Sequence, residues 1–96
     1  MIKQQGITVV DFWAPWCGPC KAMHEVLDRI EKKYQNISIV KINIEDVDNL
    51  EIETIISENG IRAIPYIAIY KNGAKVDSVI GVVPDSHVEG IIDKLK

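Results

Sequence analysis

The chain has only two cysteines, too few for the several bridges that hold small secreted domains together. It has no surplus of positive charge: 11 Lys and Arg against 14 Asp and Glu leave a formal net charge of −3. That balance argues against a nucleic-acid partner, which would call for a basic face. No apolar run approaches the roughly 20 residues needed to cross a bilayer, so no membrane role is expected. Met1-Ile2-Lys3-Gln4-Gln5-Gly6 has neither the apolar stretch nor the small-residue cleavage site of a secretory leader. The expected location is therefore the cytoplasm. In that reducing setting a close cysteine pair is expected to be catalytic or metal-binding rather than a staple. Repeats, low-complexity tracts and linkers are absent as well, and the 96 residues read as a single domain, 1–96, large enough for a core without staples.

The elements that are present follow one another closely. Ile7 to Trp13 is a mostly apolar run rich in β-branched and aromatic residues, and reads as a buried central strand. Pro15 ends it. A helix is expected to start around Cys17 to Pro19, because proline suits a first helical turn. Met23, Leu27, Ile30 and Tyr34 carry it on as an apolar stripe. Ile37 to Ile44 reads as a second strand. Asp46 to Asn59 reads as a helix capped by Asp46 or Asp48 and stopped at Asn59-Gly60. Ile64 to Tyr70 reads as a third strand, and Asn72-Gly73 as a hairpin turn into a fourth, Lys75 to Ile80. Pro84-Asp85-Ser86 opens a last helix carrying Val88, Ile91, Ile92 and Leu95. The order β-α-β-α-β-β-α predicts an α/β fold, with a four-stranded mixed sheet and helices on both faces.

The chemistry concentrates at Cys17-Gly18-Pro19-Cys20, at a strand-to-helix junction. One helical turn brings the two Cα atoms within the roughly 4.4–6.8 Å that a disulfide needs. Cys17 is placed where unpaired backbone N–H groups and the helix dipole favour thiolate over thiol. Lowering a thiol pKa from ~8.5 to ~7 corresponds to about 2 kcal/mol. Cys20, a turn further in, is expected to be less exposed and less acidic. Cys17 is then the nucleophile that forms a mixed disulfide, and Cys20 the thiol that resolves it. The competing reading is a zinc site, but zinc wants four ligands and only His24 and His87 could join the cysteines. No metal is expected.

Val9-Val10-Asp11-Phe12-Trp13-Ala14-Pro15-Trp16-Cys17-Gly18-Pro19-Cys20-Lys21 resembles the active-site segment of the thioredoxin family. Lys41-Ile42-Asn43-Ile44, Gly60-Ile61-Arg62-Ala63-Ile64-Pro65, Tyr70-Lys71-Asn72-Gly73 and Gly81 continue the likeness. The resemblance implies a thioredoxin-like fold and a protein-disulfide reductase with no cofactor of its own. Its partners would be disulfide-containing protein substrates and an NADPH-dependent reductase. It makes Asp11 the buried acid beneath the cysteines, its pKa raised by desolvation, able to take the Cys20 proton. It makes Lys41 the lysine near that acid, and Pro65 a cis proline facing the disulfide. Trp16, Gly18, Pro19, Ile64, Pro65 and Gly81 fall in the substrate-docking surface.

Each of these residues has a plainer reading. Asp11 could be a solvated strand residue, although Val9, Val10, Phe12 and Trp13 around it are apolar and burying an acid among them is costly. Lys41 alone is a routine strand lysine. Trp13 reads as a core aromatic, Trp16 as surface, His24 as an exposed helical histidine, and Tyr34 and Tyr70 as core or edge residues. Two positions depart from the family pattern. Glu25 stands where a helix-kinking proline is common, and Tyr66, where threonine is usual, is expected to narrow the docking groove or add an aromatic contact to it. Six residues before Ile7 are too few for the family's usual first strand and helix. The Ile37–Ile44 strand is therefore expected to be an edge, either open to weak self-association or covered by Met1 to Gln5. Two other functions stay open: a specialised or glutathione-coupled reductase, and a binding or assembly module that needs no electron transfer.

Overall fold

The computed structural model describes residues 1–46 and 48–96. Seven elements follow in order: β1 (Ile7–Trp13), α1 (Gly18–Lys33), β2 (Ile37–Asn43), α2 (Leu50–Asn59), β3 (Tyr66–Lys71), β4 (Ala74–Ile80) and α3 (Asp85–Leu95). The sheet runs β2-β1-β3-β4. β2 is parallel to β1, whereas β1–β3 and β3–β4 are antiparallel. The connections account for two of the pairings: helix α1 bridges the parallel β1–β2 pair, and a two-residue turn joins the antiparallel β3–β4 pair.

β1 lies between two strands and is buried along its length up to Trp13. Its alternation divides the interior in two. Ile7 and Val9 face α1 and α3, packing with Met23, Leu27, Ile30, Val88 and Ile92. Val10 and Phe12 face α2, packing with Ile42, Ile55, Tyr66 and Tyr70. Asp11 shares the Ile7–Val9 face by the period of two and stands in register with Lys41 on β2 and Ile67 on β3. Outside the core, Arg29 meets Asp85 at 2.7 Å and Lys33 meets Glu89 at 2.8 Å, linking α1 to α3. Exposed pairs of this kind add only about 0–1 kcal/mol each.

Several boundaries differ from the sequence reading. α2 is capped by Asn49, whose side chain accepts the Glu51 and Ile52 N–H groups. Asp46 and Asp48 precede the helix, and position 47 of the expected span lies outside the described residues. β3 starts at Tyr66 rather than Ile64, since the Ile64–Pro65 bond is cis and Pro65 has no N–H to give a ladder. The hairpin turn is as short as expected: Asn72 and Gly73 both take positive φ, 53° and 86°, and Lys71 pairs with Ala74.

β2 is a free edge among the described residues, but Met1–Gln5 does not cover it. Ile2 packs on the α2-side cluster. The Met1 amino group lies 3.4 Å from Glu51, the Lys3 N–H bonds Thr8, and Gln4 lies against Gly73. The segment is drawn there because the apolar Ile2 finds buried surface beside α2.

Ile92 is fully buried between α3 and the sheet. Ile92→Ala is expected to lower stability by about 2–5 kcal/mol, read from urea unfolding midpoints. A loss well under 1 kcal/mol would mean that α3 contributes little to this layer.

Candidate active site

The site begins where β1 runs out. The Cys17 N–H donates to the Ala14 carbonyl at 3.0 Å, turning the chain through Pro15 and Trp16. Cys17 is the N-cap of α1, in extended conformation, and its sulfur accepts the Cys20 N–H at 3.2 Å. A thiol sulfur thus does the work that a serine or aspartate oxygen commonly does at a helix start. Pro19 falls in the first turn, where its missing N–H costs nothing. Cys17 and Cys20 are joined as a disulfide, their Cα atoms 5.4 Å apart.

Cys20 is the deeper of the two, as expected, at 1% exposure. Cys17 is less open than expected, at 5%. Ala14, Trp13, Ile44 and Ile64 pack around the bridge and leave Gly18 and Pro19 exposed beside it. On one side Trp16 stands 67% exposed, its indole N–H donating to Glu45 at 2.8 Å. Trp16 and Ile64 line one hollow of about 350 Å³, with Ile61 and Arg62. The Pro65 carbonyl accepts the Gly81 N–H at 2.9 Å, and Gly81 takes a φ of +88°, which glycine tolerates best. Exposed Ile80 and Val82 flank it. The structure therefore packs Ile64 on the bridge, sets Trp16 with Ile64 along one hollow, and ties Gly81 to Pro65, the residue that follows Ile64.

On the other side a cavity of about 410 Å³ is lined by both cysteines, Trp13, Lys21, His24 and Lys41. Asp11 lies sealed behind, its side chain fully buried. Burial pushes its carboxyl up to about 7, against the opposing pull of Lys41. The Lys41 ammonium, however, binds Asp28 at 2.8 Å, and that hydrogen bond holds the Asp28 carboxyl below its ordinary value. Lys41 thus stands near Asp11 while bonding a different acid.

Three side chains differ from their sequence reading. His24 is not a free surface histidine: its Nε2 lies 3.0 Å from Asp11 Oδ2, out of line for an N–H donor bond, and its ring meets Trp13 edge to face at 5.3 Å. Trp13 is a half-buried wall of the cavity rather than a core aromatic. Tyr66 belongs to the α2-side core instead: it is buried against Phe12 and its hydroxyl accepts from Lys75 at 2.6 Å. The i, i+4 spacing from buried Cys20 was the available signal for His24. For Glu45, which steadies Trp16, the sequence offered none. Among the described residues no three His, Cys, Asp or Glu side chains gather as a metal site.

Asp11 makes stability depend on pH. Between its ordinary value of 3.8 and about 7 the folded chain holds a proton that the unfolded chain has lost. Stability therefore falls as pH rises, by up to about 1.4 kcal/mol per unit. Asp11→Asn is expected to flatten that slope and to unfold later than the parent chain above neutral pH, measured by urea midpoints of the oxidised protein. Parallel pH curves for the two would show that Asp11 is not the titrating group.

Comparison with known proteins agrees with this geometry. A family profile described as "Thioredoxin" matches residues 1–94. The chain is 48% identical over 87 residues to a thioredoxin of Porphyra purpurea, covering 90% of this chain and 77% of that one. It is 45% identical over 95 residues to the chloroplastic thioredoxin M5 of Oryza sativa subsp. japonica, covering 98% of this chain and 52% of that one. Among solved structures, reduced Schistosoma mansoni thioredoxin pre-protein superposes with a TM-score of 0.81 at 33% identity, over 97% of this chain and 82% of that one. The chain belongs to the thioredoxin family.

Proposed function

We propose that this chain reduces disulfides in other proteins, with Cys17 as the attacking and Cys20 as the resolving sulfur. The observation that carries this assignment is the Cys20 N–H donated to the Cys17 sulfur at the mouth of α1. Once the bridge is reduced, that donor and the helix dipole favour thiolate at Cys17. The thiolate attacks one sulfur of a substrate disulfide, and the other leaves with its electron pair. Cys20 gives up its proton, attacks Cys17 Sγ and frees the second substrate thiolate. Asp11, with its raised pKa, is the proposed acceptor of the Cys20 proton, because such a value suits proton exchange near neutrality. Lys41, in register beside it, tunes that acid. Trp16, Gly18, Pro19, Ile64, Pro65 and Gly81 form the proposed docking surface, with exposed Ile80 and Val82 extending its apolar area.

Family membership makes disulfide-containing proteins its substrates and a thioredoxin reductase its recharging partner; NADPH as that reductase's electron source is part of the proposal. A reducing compartment is proposed, the cytoplasm being the plainest case, while the rice relative is named chloroplastic. No helix among the described residues is long and apolar enough to cross a membrane.

Insulin reduction driven by dithiothreitol, and then by NADPH with thioredoxin reductase, tests the assignment. Activity is expected to vanish in Cys17→Ser, and Cys20→Ser is expected to accumulate mixed disulfides on non-reducing gels. Full biological function in Cys17→Ser would instead favour a docking module without electron transfer. We also propose weak self-association through the free Ile37–Ile44 edge. It is expected as a rising sedimentation coefficient over about a hundredfold range of concentration; a constant monomer would dismiss it.

A further inference from the structure

His24 has no part in the exchange as described so far, yet it is the residue that touches the buried acid. It sits one helical turn beyond Cys20, and its Nε2 is 3.0 Å from Asp11 Oδ2. The Asp11 side chain has no exposure, whereas that of His24 is 24% exposed. His24 also lines the cavity that holds both cysteines. The imidazole therefore spans the distance from a sealed carboxyl to solvent. Trp13, edge-on to the ring, holds it in that position.

The charges around it are few. Asp11 faces it from β1. Asp28 lies four residues on along α1 and Lys41 comes from β2, and these two bond each other at 2.8 Å. Lys21 shares the cavity and Glu25 is exposed on the same helix. Burial first, and Lys41 next, lower the pKa of His24 against the pull of Asp28. A neutral ring can accept a proton from a carboxylic acid, and a carboxyl that burial keeps protonated up to about 7 has one to give near neutrality.

We propose that His24 is a positioning residue for proton transfer, carrying the proton between Asp11 and solvent as the dithiol closes and reopens. The proposal rests on the reading of Asp11 as acceptor of the Cys20 proton. When Cys20 attacks, the Cys17–Cys20 sulfur bond forms and the bond from Cys17 to the substrate sulfur breaks. The electron pair leaves on the substrate, which is reduced while the dithiol is oxidised. The Cys20 proton passes to Asp11 and, once the ring turns into line across the 3.0 Å gap, from Asp11 Oδ2 to His24 Nε2. The ring releases its Nδ1 proton to solvent, and the departing substrate thiolate takes one up from solvent. When the reductase returns two electrons, the path runs backwards: a proton enters at Nδ1, Nε2 returns one to Asp11, and the original tautomer is restored. Each turn of the cycle thus resets the ring.

Reduced protein mixed with Ellman's reagent separates the two steps, because the first thionitrobenzoate released reports attack by Cys17 and the second reports closure by Cys20. His24→Gln keeps the size and polarity of the site but cannot relay. It is expected to leave the first release unchanged and to slow the second about tenfold near neutral pH, less than the roughly hundredfold or more expected when the accepting group itself is lost. His24→Ala is expected to regain the second release when imidazole is added, and Asp11→Asn is not. The double variant Asp11→Asn with His24→Gln is expected to close no more slowly than Asp11→Asn alone. A second release in His24→Gln with the parent rate and pH profile, while Asp11→Asn is slow, would overturn the relay and leave Asp11 in place. Slowing without imidazole rescue and without a changed pH profile would reduce His24 to a packing role and also overturn it. A normal second release in Asp11→Asn would remove the reading on which the relay stands.

Discussion

The sulfur of Cys17 receives a backbone N–H from Cys20 at 3.2 Å, and the rest of the site is arranged around that contact. It exists because β1 stops at Trp13 and the Ala14–Cys17 turn delivers the chain directly into a helix. Ordinarily a serine or aspartate oxygen would satisfy the first amides of α1. Here a reactive group has that duty, so the atom that takes part in exchange is also the atom that starts the helix. Position and reactivity have one cause, and both depend on β1 being held at the centre of the sheet by neighbours on each side.

Behind the bridge, polarity is handled by division. Asp11 lies in an apolar layer with β2 and β3 on either side, and desolvation is the chief reason for its raised pKa. A direct ion pair with Lys41 would cancel much of that effect. The structure avoids it by giving Lys41 another acid, Asp28, at the surface end of its reach. The buried carboxyl then feels a cation at a distance without being neutralised by it, and the close approach, 3.0 Å without a hydrogen bond, is left to His24.

What the sequence disclosed was whatever is written locally. The apolar run of β1, the cysteine spacing, the stripe of α1 and the Asn72-Gly73 turn each depend on a few neighbouring residues, and all four appear as expected. The start of α2 was harder to place, because Asp46, Asp48 and Asn49 are all competent caps and the choice falls to where the chain leaves β2. Tyr66 was misplaced because a strand's period of two assigns its faces only after the register is known. His24 and Trp13 were read singly, one as surface and one as core. Their meeting at 5.3 Å joins a helix to a strand and has no local signature. The path of Met1–Gln5 over α2 is likewise settled by packing far along the chain.

The tip of the β3–β4 hairpin has a consequence for anyone who would attach a label there. Gly73 takes a φ of +86°, and a Cβ on it would stand 2.9 Å from the Gln4 amide oxygen. Its neighbour Asn72 exchanges hydrogen bonds with Gly6, both at 2.9 Å. A cysteine introduced at Gly73 to carry a fluorophore would be strained at that positive φ and would push the Gln4 side chain aside, beside the residues that lead into β1. A dye placed there would report on its own disturbance, whereas Glu53, exposed on α2, stands outside the hollow that Gln4 and Gly73 line together.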